Sequence, residues 1–174
     1  VKQRVEALRD LYKFEFFFKS RADFWAEVKE ELNRQYPRWS DGSRSLARQL
    51  RETPPRFGHA ILRSIAEAHL VTANALLSLQ GSPCGDQKKF IARLLDHGTE
   101  MLLRRQISGD STLSRDLFSS ALRLAEHRQL LEGDAAALRE NRITFERETH
   151  EVLGAINLLQ ESYDRAWFDP VRNR

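Results

Sequence analysis

The sequence contains one cysteine, Cys84, among 174 residues. An intramolecular disulfide is therefore excluded, and a reducing, cytoplasmic setting is the expected one. No apolar run approaches the ~18 residues that a membrane-spanning helix needs, and no signal peptide opens the chain, so a soluble chain is expected. An excess of charge of one sign is missing as well. The 28 basic residues stand against 25 acidic ones, leaving a formal net charge of +3. That is too little to gather into the basic patch of a nucleic-acid binder, so no nucleic-acid partner is expected. No Cys/His cluster has zinc spacing and no Asp-rich loop has calcium spacing, so neither a metal nor a cofactor is expected. Gly81 and Gly85 are not followed by the Lys-Ser/Thr pair that a phosphate-cradling loop requires.

Helical periodicity fills nearly the whole chain, with no convincing strand and no internal repeat. A first helix is expected from Val1 to about Phe17, on Val5, Leu8, Leu11 and Tyr12. Ser20 with Asp23 reads as an N-cap opening a second helix to about Gln35, ended by Pro37. "SDGSRSLARQLRETPP" is a polar connection with two helical turns in its middle. Pro54 and Pro55 set up a long third helix to about Gln80, apolar on several sides and so central in a bundle. A fourth helix is expected over about Asp86 to Gln106, where Gly98 either weakens it or admits a close neighbour. A fifth starts at a Ser or Thr cap before Leu113 and Leu117 and stops at Gly133. The last begins near Asp134 and carries Phe145, Val152, Ile156, Leu159, Tyr163 and Trp167 on one face. The expected architecture is all-α, a single bundle of about six helices over residues 1–169 with a long central helix, followed by a frayed tail over 170–174. The first residue is Val1 rather than Met, so the chain is expected to be a fragment or a processed product.

None of the five histidines, His59, His69, His97, His127 and His150, sits in a catalytic pattern. "HEVLG" at His150 opens like a zinc protease motif, but Gly154 stands where the second imidazole must be. No catalytic residue is assigned. Arg44, Arg48 and Arg51 fall at i, i+4 and i+7, so a helix there would align three guanidinium groups as candidates for an anionic membrane surface. The remaining anomaly is aromatic. Five of the ten phenylalanines fall within eleven residues of "LYKFEFFFKSRADFWAEV". On a helix Phe14, Phe17 and Phe18 would share one side, and Trp25 would resume the apolar surface in the next helix. Phe14, Phe17, Phe18 and Trp25 are therefore the expected contact with a second domain.

These residues carry a resemblance. "ALRDLYKFEFFFKSRADFWAEVKEEL" resembles the segment that opens the C-terminal region of bacterial membrane-associated glycerol-3-phosphate acyltransferases, which carry a similar "FEFFF" after their catalytic domain. The likeness continues through "ILRSIAEAHLVTANAL" and "LLRRQISGDSTLSRDLFSSALRLAEHRQLLE", spanning about Ala7 to Leu159. The resemblance implies a parent that transfers a fatty acyl group from acyl-CoA or acyl carrier protein to the sn-1 hydroxyl of glycerol 3-phosphate. It also implies a peripheral location on the cytoplasmic side of the membrane. The family's chemistry depends on a His-x4-Asp motif. Five residues after the histidines stand Ser64, Asn74, Leu102, Glu132 and Ala155, and none is Asp. The chain is thus expected to be a noncatalytic C-terminal domain whose partner is its own catalytic domain. The alternative is a free-standing helical ligand-binding or dimerisation module, as in a transcription regulator.

Overall fold

A computed structural model describes residues 2–42, 48, 49 and 58–167. Among them there are six α-helices and no strand: α1 (Lys2–Tyr12), α2 (Arg21–Gln35), α3 (Gly58–Ser78), α4 (Gln87–Leu103), α5 (Arg115–His127) and α6 (Ala135–Trp167). The expected all-α class holds. The tail over 170–174, the two prolines before α3 and most of the expected helical turns around Arg44–Arg51 lie outside the described residues. The chain divides into two compact units, residues 1–60 with 155–174, and residues 61–154, the boundaries falling within α3 and α6.

In the first unit, α1 and α2 form a hairpin. The Ser20 hydroxyl accepts from the Asp23 amide at 3.2 Å, which is the expected cap. Arg9 donates to the Lys19 carbonyl at 3.0 Å and Arg21 pairs with Asp10 at 2.7 Å, tying the end of α1 to the start of α2. One expectation is corrected here. α1 ends at Tyr12, not near Phe17: the Tyr12 carbonyl accepts from the Phe16 amide and, in a tighter turn, from the Glu15 amide three residues on, and no further helical turn follows. On a continued helix Phe16 and Phe18 would point roughly 200° apart. The turn instead brings their rings edge to face at 6.2 Å.

In the second unit, α3 is the central helix. Every residue from Ile65 to Ala73 is buried, the polar Glu67, His69 and Thr72 included, as the expected central helix requires. α4 begins at Asp86, whose carboxylate accepts from the amides of Lys88 and Lys89. Gly98 of α4 is a close approach: a Cβ there would lie 2.6 Å from a Leu113 methyl. The Ser cap expected before Leu113 comes after it: Ser114 caps α5 by accepting from the Leu117 amide, and Leu113 lies outside the helix. The stop expected at Gly133 comes earlier, since Gln129 takes a left-handed conformation (φ 56°) and the Leu130 amide bonds back to Ala125.

Two buried charges complete this core. Arg142 of α6 is fully buried and donates to the carbonyls of Leu130, Gln80 and Ser82 at 2.9, 3.0 and 3.0 Å. It thereby satisfies acceptors left over where α3 and α5 end. Burial pulls its pKa down from the usual guanidinium range. Glu67 of α3 accepts from the Ser108 amide at 3.0 Å, from the Ser108 hydroxyl, and from the Thr112 hydroxyl at 2.8 Å. It pins the turn between α4 and α5 to the central helix.

Candidate functional site

The aromatic knot is where the hairpin turns. Phe18 lies edge to face against Phe24 at 5.1 Å and against Phe16 at 6.2 Å, with the Arg9 guanidinium 5.6 Å above its ring. Phe16 in turn meets Tyr12 at 6.1 Å. Tyr12 is buried, which raises the pKa of its phenol well above the usual range. Lys13 covers the Phe14 ring at 5.3 Å. Phe17 behaves differently from all of these: its side chain is fully exposed, at 105% of its reference area. The four rings expected on one face thus divide. Phe14, Phe18 and Trp25 are half-buried, and Phe17 stands clear in solvent.

α2 extends this surface. It is a 15-residue helix without a single buried residue. Phe24, Trp25, Val28 and Leu32 are all half-covered. Helices of a finished domain bury an apolar stripe, and this one does not.

The histidines are placed as structural or surface groups. His59 is buried and bonds through Nε2 to the Gln160 side-chain oxygen at 2.7 Å; the Gln160 amide nitrogen is turned to Asp164 at 2.8 Å. That orientation makes His59 the donor of its pair. His69 is buried beside Phe145, and burial, with Arg128 nearby, pulls its pKa down to about 3. His150 meets Glu146 at 2.9 Å on the surface of α6, and His127 is exposed at the end of α5. Cys84 is buried, and its pKa is pushed up by that burial, the opposite of an activated nucleophile. Among the described residues no three His, Cys, Asp or Glu side chains are grouped to hold a metal ion. The acceptor sites of Glu67 are occupied by donors within the fold, so it is an anchor and not a free base. Of the three arginines, Arg48 is exposed, and Arg44 and Arg51 lie outside the described residues.

The profile of the family described as the glycerol-3-phosphate acyltransferase C-terminal region matches residues 1–134. The chain belongs to this family. Relatives that carry the provisional name acyltransferase plsB1, from Mycobacterium bovis and from the CDC 1551 and H37Rv strains of Mycobacterium tuberculosis, are 31% identical to it over 167 residues. The alignment covers 92% of this chain and 27% of each relative, so the chain spans about a quarter of their length. No solved structure matches it. In this chain both the α1–α2 hairpin and the Glu67 anchor fall within the matched residues. Sequence reasoning missed the Glu67 anchor, although a lone carboxylate inside the apolar run "SIAEAHLV" was its signal. No described helix is long and apolar enough to cross a membrane.

Proposed function

We propose that this chain is the noncatalytic C-terminal domain of a glycerol-3-phosphate acyltransferase. The parent would move a fatty acyl group from acyl-CoA or acyl carrier protein to the sn-1 hydroxyl of glycerol 3-phosphate, in phospholipid synthesis at the cytoplasmic face of the membrane. This domain would pack on the catalytic domain through Phe14, Phe17, Phe18 and Trp25 and hold it in its working form. Membership in the acyltransferase family supports the parent activity. The five histidines support the noncatalytic role, since none is followed by Asp at the family's spacing.

The observation that carries the reading is α2, an amphipathic helix with no buried residue. An apolar stripe that its own domain leaves half-covered belongs against another surface. The test is a full-length protein lacking the residues of this chain, assayed beside the chain by itself. The truncated protein should lose acylation of glycerol 3-phosphate or fail to stay folded, and the chain by itself should give no turnover. Turnover by the chain above background, or full activity of the truncated protein, would remove the assignment.

A further inference from the structure

We infer that one face of α6, from Ala135 to Arg147, is a docking groove for an acidic amphipathic helix of a second protein. The groove has a volume of about 720 Å³ and is lined by this face and by Gly81 in the turn after α3. Its α6 residues fall into two adjacent rows at i, i+4 spacing. Ala135, Arg139, Ile143 and Arg147 form one, and Ala136, Glu140 and Thr144 form the other. Two such rows are the ridges between which a ridge of another helix packs. All of these residues lie in the unit over 61–154, whereas the hairpin that the proposed function gives to the catalytic domain belongs to the other unit.

Exposure and charge decide the occupant. Every α6 residue of the groove except Thr144 is exposed, Ile143 at 50%. A small molecule lying there would keep much of its surface in water, whereas small-ligand sites bury roughly 70–90% of it. An extended peptide would need free backbone groups, but the amides of Ala136 and Ala137 are taken by Asp134 and the helix bonds the rest. A helix arrives with its own backbone satisfied. Arg139 and Arg147 stand one turn to either side of Ile143, about 12 Å apart along the axis. Neither has an ion-pair partner among the described residues, because the carboxylates beside Arg147 are committed: Glu148 to Arg128 and Glu146 to His150. Two free guanidinium groups flanking an apolar residue are complementary to carboxylates flanking an apolar residue. A second copy of this chain does not fit. A symmetric crossing at Ile143 sets arginine against arginine in either direction. An anionic bilayer does not fit either, since Glu140 lines the groove and would face its headgroups.

Two synthetic helical peptides are the probes, one with Glu at i and i+8 around Leu at i+4, the other with Lys in place of Glu. On the full-length protein, fluorescence anisotropy should show saturable binding of the Glu peptide and at least about tenfold weaker binding of the Lys peptide. A protein carrying Arg139→Glu and Arg147→Glu should keep its helix content and invert that preference. No binding of the Glu peptide, equal binding of both, or a preference that the double variant leaves unchanged would each overturn the groove. A benzophenone-bearing phenylalanine analogue at position 143 of the full-length protein, in the cells that make it, supplies the second arm. The expected product is a cross-link to a separate protein, mapped to a helix with carboxylates flanking an apolar residue, and lost in the double variant. A cross-link to lipid, to a second copy or to the same chain, or none, would also overturn it. Neither arm measures acylation, so the groove and the proposed parent activity stand or fall separately.

Discussion

His69 is a titratable side chain held out of water in the core of the second unit. It is buried, with Phe145 6.3 Å away, and Arg128 lies over the same Phe145 ring at 5.4 Å while bonded to Glu148. Burial and the Arg128 charge together hold its pKa near 3, against 6.5 for the free imidazole. A base that binds its proton more weakly when folded contributes stability that is complete above the unfolded pKa. That contribution is lost as pH falls from 6.5 toward 3, at about 1.4 kcal/mol per pH unit. Chemical denaturation near pH 4.5 and near pH 7.5 checks this against His69→Gln. The native chain should lose about 2 to 3 kcal/mol more than the variant over that interval, and equal losses would contradict a buried neutral imidazole. Other residues of this kind were only partly legible in the sequence. Arg142 falls on the buried stripe of α6 with Leu138, Phe145, Thr149 and Leu153, so its position is in the periodicity. Its three carbonyl partners lie 12, 60 and 62 residues away, and only the folded chain brings them together.

Between elements, two glycines mark contacts that an ordinary side chain would obstruct, and they should respond unequally to the same change. Gly81, in the turn after α3, lies against the first residue of α6: an added Cβ would be 2.8 Å from both the Cβ and the carbonyl oxygen of Ala135. Backbone cannot step aside cheaply, so Gly81→Ala should cost about 1–3 kcal/mol as overpacking. At Gly98 the close atom is the end of the Leu113 side chain, at 2.6 Å, which can rotate away. There the clash is offset by the roughly 1 kcal/mol of helix propensity that Ala gains over Gly. Gly98→Ala should therefore be close to neutral. Thermal unfolding of the two variants side by side is the measurement, and a Gly81→Ala protein as stable as the parent would refute the close contact. The cap at Ser20 was readable because a cap is a local pattern of a few residues, and the start of α4 near Asp86 was legible for the same reason. The early end of α1 was not, because it depends on rings meeting across the hairpin turn, and helix periodicity carries no information on that.

Across the whole chain, burial is uneven in a way that the composition conceals. α3 has nine consecutive buried residues, Ile65 to Ala73, whereas α2 has none and Phe17, Phe16 and Leu8 are exposed beside it. Local opening is easiest where few apolar contacts hold the backbone, so the two regions should differ sharply in native-state hydrogen exchange. In the isolated chain, amides of α2 should exchange at rates near those of a fraying helix, and amides of α3 only through global unfolding. The same measurement on the full-length protein gives the complementary expectation. If the hairpin is covered there, protection in α2 should rise by about tenfold or more for each ~1.4 kcal/mol that the covering surface adds, while α3 changes little. Uniform protection across α2 and α3 in the isolated chain would mean that the half-covered stripe is sufficient by itself, and that the hairpin needs no neighbour.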